Sequence, residues 1–155
     1  MRVVFFGSPD FALGSLEALL GSGHQVVGVV TQPDRPAGRG LQTTPPPVKV
    51  RAAAAAIPIL QPEKVNSQAT YDFLSALKPD ILVVVAYGEF LGEKLLKHCR
   101  FPPVNVHPSL LPDLRGAAPV QWALLRGYRR TGITTQFMQK EMDAGDVLQI
   151  GRAHV

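Results

Sequence analysis

At 155 residues, 46% hydrophobic and 18% charged, the chain has the make-up of one globular domain with a real core, and is short for two. Its formal net charge of +4 is mild, and its longest apolar run, residues 81–87, falls far below the roughly 20 residues of a membrane span. The single Cys99 excludes an internal disulfide and a Cys-cluster zinc site, and the N-terminus enters a strand pattern at once without a secretory h-region, so the cytoplasm is expected and a membrane partner is not.

Residues 3–6 predict a first strand. Residues 10–20 follow as a helix with apolar side chains at Phe11, Leu13, Leu16, Leu19 and Leu20, capped by Ser8 or Asp10 and stopped by Gly21 and Gly23. Residues 25–30 form the second strand. The proline-rich stretch 31–47 reads as an irregular loop, and loops of that length in compact domains are functional or mobile. A short helix is expected over 48–56, a short strand over 58–60 and another helix over 67–77. Residues 81–86 are continuously apolar, as in a central strand buried on both faces. Then come a helix over 93–99, a strand over 104–106, a helix over 117–126 and an extended segment over 131–138. Such alternation predicts an α/β fold with a mainly parallel sheet. The end differs: residues 149–155 neither complete a strand nor close a domain, and their back-translation is compatible with a sequencing-library adapter. The domain, residues 1–148, is therefore expected to lack its C-terminal part, and 149–155 to be a non-native tail.

Gly7-Ser8-Pro9-Asp10 stands where a dinucleotide loop would be, but the Gly-x-Gly-x-x-Gly spacing is absent. Pro9 removes a backbone donor and Asp10 adds a negative charge, which argues against a nicotinamide or flavin cofactor. None of the four histidines has a partner at metal-ligand spacing, so no metal site is expected. No Gly-x-Ser-x-Gly elbow surrounds Ser8, Ser15 or Ser109, and Cys99 sits near a helix C-terminus, where a thiolate is disfavoured. Asn105 and His107 are more informative. Two residues apart in an extended segment, they point to the same side at the end of an apolar strand. A lone strand-end histidine is commonly structural. With the amide beside it and Asp143, in Met142-Asp143-Ala144-Gly145-Asp146, folded back onto both, the set can polarise a carbonyl and move a proton. That chemistry is acyl-type transfer without a covalent enzyme intermediate. Arg35 and Arg39 in the long loop, and Arg126, Arg129 and Arg130 later, are clusters that either attract phosphates or lie idle on the surface.

Asn105-Val106-His107-Pro108-Ser109-Leu110-Leu111-Pro112, Arg115-Gly116-Ala117-Ala118-Pro119 and Asp143-Ala144-Gly145-Asp146 resemble the signature of the formyltetrahydrofolate-dependent formyltransferase family. Thr31-Gln32-Pro33-Asp34-Arg35-Pro36-Ala37-Gly38-Arg39-Gly40 and Pro47-Val48-Lys49 look like the insertion loop of its tRNA-directed members, and Gly7-Ser8-Pro9-Asp10-Phe11 and Val83-Val84-Val85-Ala86-Tyr87-Gly88 resemble segments of the same members. The resemblance runs from Met1 to about Leu148. It implies a Rossmann-like domain and, in translation initiation, transfer of a formyl group from the cosubstrate 10-formyltetrahydrofolate to the α-amino group of initiator methionyl-tRNA. It also implies that Asn105 and a protonated His107 donate to the developing oxyanion, while Asp143 orients the imidazole or helps a water relay the amine proton. Ser109, Leu110, Leu111, Pro112, Ala86, Tyr87 and Gly88 would contact the folate, and Arg35 and Arg39 the tRNA, in a monomer that needs no metal. Longer family members go on to complete the catalytic domain and add a β-barrel that helps bind tRNA. Relatives acting on an amino sugar, on glycinamide ribonucleotide or on water share the Asn/His/Asp set, so the loop alone separates them; a non-catalytic folate- or RNA-binding module or an inactive fragment is the remaining alternative.

Overall fold

The structure is a computed structural model that describes residues 1–37 and 42–154. In chain order the elements are β1 (Arg2–Gly7), α1 (Asp10–Leu20), β2 (Gln25–Val30), β3 (Arg35–Ala37), β4 (Gln42–Thr44), α2 (Pro47–Ala54) and β5 (Ile59–Leu60). They continue with α3 (Gln68–Leu77), β6 (Ile81–Val85), α4 (Glu93–Leu96), β7 (Val104–His107), α5 (Pro119–Leu125), β8 (Arg130–Phe137) and β9 (Val147–His154).

Among the described residues, seven strands make one sheet in the order β5-β2-β1-β6-β7-β8-β9. The pairs from β5 to β7 are parallel, and β7–β8 and β8–β9 are antiparallel. Alternation along the strands divides the core. Val4, Phe6, Leu82 and Val84 pack on one face with Leu74 of α3 and Leu95 of α4. Phe5, Val29 and Val85 pack on the other with Ala12 and Leu16 of α1 and Val48 and Ala52 of α2. β6 lies between β1 and β7 and is apolar throughout because helices cover both its faces. Gly7 is required where β1 meets α1, since a Cβ there would lie 2.9 Å from both Ala12 Cβ and the Val85 carbonyl oxygen.

Three expectations change. Neither Ser8 nor Asp10 caps α1: its N-cap is Pro9, without a side-chain bond, and Asp10 is the first helical residue. Ser8 Oγ instead accepts from the Gln32 amide at 3.0 Å and from Thr31 Oγ1 at 3.2 Å, tying the exits of β1 and β2 together. The long loop carries structure of its own, because β3 and β4 pair as an antiparallel ribbon. Residues 149–154, read as unable to complete a strand, belong to β9, which pairs with β8 from Gln136↔Val147 to Arg130↔His154. Backbone pairing along an existing strand stabilises a segment that has no clean apolar alternation. The outer end of the sheet and α5 leave apolar side chains uncovered, notably Trp122 (48% exposed), Leu125 (77%) and Ile150 (47%).

Candidate active site

The chain steps from β1 to β2 on one side and later to β6 on the other, so a crevice opens beyond the carboxyl ends of β1 and β6, the place where open α/β sheets bind ligands. A cleft of about 700 Å³ lies there, walled by Phe11 of α1, Ala86, Tyr87 and Gly88 after β6, and Asn105 and His107 of β7. Residues 116–121, Gln136 and Asp143 close it from the other side.

Register explains the convergence. Asn105 is directly opposite Val84 on β6 and Gln136 on β8, and His107 is opposite Thr134, so Asn105, His107, Thr134 and Gln136 share one face. The 138–146 turn after β8 brings Asp143 back over that face. Gly145 permits the return: its Cα lies so close to β8 that a Cβ would stand 1.8 Å from the Phe137 carbonyl oxygen.

Asp143 is the hub. Its Oδ1 accepts from Asn105 Nδ2 at 3.2 Å and from Gln136 Nε2 at 2.9 Å, and its Oδ2 accepts from the Gly116 amide at 2.9 Å. His107 Nδ1 faces Oδ2 at 3.5 Å. The other ring nitrogen, Nε2, lies 2.9 Å from the Leu114 carbonyl oxygen, which can only accept, so Nε2 carries a proton and Nδ1 is the nitrogen left for chemistry. Asn105 spends one amide hydrogen on Asp143 and keeps the second. The cleft thus offers a free amide hydrogen and an imidazole nitrogen on β7 next to one carboxylate, a set that with the imidazole protonated can hold an oxyanion and receive a proton.

Backbone strain gathers here. Ala86, Leu114, Ala118 and Asp143 have φ of 47°, 56°, 55° and 49°, in the left-handed region costly for side-chain-bearing residues. Each lines the cleft or bonds a residue that does. Tyr87 and Gln136 carry the buried side-chain polar atoms without a partner among the described residues, Tyr87 Oη and Gln136 Oε1, and both residues line the cleft. Burial raises the Tyr87 phenol well above its ordinary range, helped by the nearby Glu89 carboxylate.

The other sequence-derived residues divide. Ala86, Tyr87 and Gly88 are on the cleft wall, whereas Ser109, Leu110, Leu111 and Pro112 are outside its lining. Ser109 is fully buried: its Oγ donates to the Asp113 carbonyl at 2.6 Å, and its carbonyl accepts from Thr134 Oγ1 at 2.7 Å. Leu110 is half-buried and Pro112 exposed. Arg35 is exposed at the start of the β3–β4 ribbon, and Arg39 lies outside the described residues. Asp34, next to Arg35, is tied down by Gln61 Nε2 at 2.6 Å and Lys49 Nζ at 2.5 Å, which hold its carboxyl below the usual range. Sequence reasoning missed Gln136 and the Gly116 amide. The only trace of Gln136 was a second polar residue two after Thr134 in a strand, and nothing in the sequence gave its register against Asn105.

A family model described as Formyl transferase matches residues 1–155. The chain belongs to the formyl transferase family. Within that family, the methionyl-tRNA formyltransferase of Bacillus licheniformis is 51% identical over 147 residues, covering 95% of this chain and 46% of the relative. The methionyl-tRNA formyltransferase of Desulforamulus reducens is 52% identical over 151 residues, covering 96% and 47%. The chain spans about half the length of the curated relatives it matches. Among solved structures, the phosphoribosylglycinamide formyltransferase of Bacillus halodurans aligns over 100% of this chain and 80% of its own, with a TM-score of 0.81 at 20% identity, which shows a shared formyl transferase fold.

Proposed function

We propose that the cleft transfers a formyl group from 10-formyltetrahydrofolate to the α-amino group of initiator methionyl-tRNA, the reaction that prepares the tRNA for translation initiation. The observation that carries this is the convergence of the Asn105 amide, the His107 imidazole and the Asp143 carboxylate at the mouth of β7. The name shared by relatives about half identical to the chain supports the acceptor.

In this reading the amine lone pair attacks the formyl carbon and the carbonyl π pair moves onto oxygen. The free Asn105 hydrogen and, with the imidazole in its protonated form, the His107 Nδ1–H donate to that oxyanion. The carbonyl re-forms as the bond from carbon to N10 breaks, and the proton that the amine gives up to Asp143 passes on through water to N10 of the folate. The products are the formylated amine and tetrahydrofolate. The pterin lies against the backbone at Ala86, Tyr87 and Gly88, with Leu110 and Pro112 at the rim and Ser109 and Leu111 as the support beneath. Arg35 and Arg39 meet the acceptor end of the tRNA. The protein works in the cytoplasm as a monomer.

The test is formyl transfer to charged initiator tRNA, with the 155-residue chain and with the chain extended by the C-terminal half of the Bacillus licheniformis relative. Formylmethionyl-tRNA formed by the extended chain supports the reading. Consumption of the donor with formate as the product, or no turnover at all, refutes it.

A further inference from the structure

Gln136 is 1% exposed, lines the cleft and lies directly opposite Asn105. Its amide has a forced orientation. Nε2 donates to Asp143 Oδ1 at 2.9 Å, and turning the group over would set two acceptor oxygens against each other. Oε1 therefore faces away from Asp143, and it has no partner among the described residues. Buried acceptors are rarely left unpaired, and one on the wall of a ligand cleft is matched to a donor that the ligand brings.

Resting on the formyl-transfer reading above, we infer that Gln136 Oε1 accepts an N–H hydrogen bond from the attacking primary amine. An amine whose lone pair is aimed at the formyl carbon has two N–H bonds to place, and the neighbouring groups on this face are mostly donors: Asn105 Nδ2, His107 and the Gly116 amide. Asp143 takes one N–H and Gln136 Oε1 takes the other, which fixes the lone pair in direction. As the carbon–nitrogen bond forms, the nitrogen becomes positive and its N–H groups become stronger donors. The contact therefore tightens on the way to the tetrahedral intermediate and acts on turnover more than on donor binding. The same side chain holds Asp143 through Nε2, so one residue couples the position of the proton acceptor to that of the amine.

Gln136→Met keeps the volume and removes both polar atoms. It is expected to lower kcat for transfer by about 10- to 100-fold while the Kd for tetrahydrofolate stays within about twofold. Gln136→His, which retains one donor and one acceptor nitrogen, is expected to recover turnover to within about tenfold of the wild type. A second measurement does not depend on the tRNA: binding of a folate analogue with a trifluoromethyl ketone in place of the formyl group, which hydrates to a gem-diol with two O–H donors. Gln136→Met should weaken that hydrate about tenfold relative to tetrahydrofolate. If the wild type forms no formylmethionyl-tRNA, the function reading fails, and the hydrate still reports on the acceptor. Turnover within threefold of wild type in Gln136→Met, a loss confined to tetrahydrofolate affinity, or an undiminished hydrate affinity each overturns the inference. If Gln136→Met does not fold, Gln136→His decides: transfer within tenfold of wild type supports it and a larger loss overturns it.

Discussion

Gly145→Ala tests whether the return of the chain after β8 holds the site together. The new methyl would begin 1.8 Å from the Phe137 oxygen and 2.8 Å from its carbonyl carbon, both backbone atoms that no rotamer change can clear. Reaching an ordinary contact of 3.4 Å requires the turn and β8 to part by about 1.6 Å. The bond from the Phe137 amide to the Asp146 carbonyl, 3.0 Å long, is lost at that separation. Asp143 moves with the turn, and its bonds to Asn105 at 3.2 Å and Gln136 at 2.9 Å stretch past useful length. Overpacking of 1–3 kcal/mol plus about 1 kcal/mol for each lost bond, offset by local relaxation, comes to about 3 kcal/mol. With a urea slope of about 2 kcal/mol per molar for a domain of this size, the unfolding midpoint should fall by about 1.5 M, read by circular dichroism. Misplacing the carboxylate by about 1 Å should lower turnover by about 100-fold, with tetrahydrofolate binding less affected. A midpoint within about 0.3 M of wild type and full turnover would refute the argued closeness of turn and strand.

Asn105→Ala and His107→Ala should each lower the single-turnover rate by about 10²–10³-fold; a rate unchanged in either variant removes that residue from the oxyanion site. Arg35→Ala should raise the KM for the tRNA and reduce the slope of log affinity against log salt by about one, leaving tetrahydrofolate affinity intact. A loss of folate affinity instead would relocate the β3–β4 ribbon to the donor side. Burial, with some help from Asp80, raises the Cys99 thiol to about 11 from its ordinary 9.0, so its thiolate fraction near pH 8 falls by about 100-fold. Reaction with an aromatic disulfide should accordingly be slow in the folded chain and rise by about that factor in denaturant; equal rates in both states would show an accessible thiol.

Most of the α/β order was legible from periodicity, because strands such as Ile81–Val85 and helices such as Gln68–Leu77 carry apolar spacings that survive without tertiary context. The same pattern placed Asn105 and His107 on one side of β7, a consequence of the two-residue repeat alone. β9 was not legible: its stability comes from hydrogen bonds to β8, which no local spacing encodes. Nor was the β3–β4 ribbon, since three-residue strands are too short to show a period. What the sequence by itself determined about the site is which side chains carry the chemistry. Only the tertiary structure decided how they are used. The β7–β8 register set Gln136 opposite Asn105, the glycine-dependent return of the chain set Asp143 over both, and the Leu114 carbonyl claimed Nε2 of His107 and left Nδ1 to face the cleft. Those are contacts between residues seven to 38 apart in the chain, and only packing brings them within bonding distance.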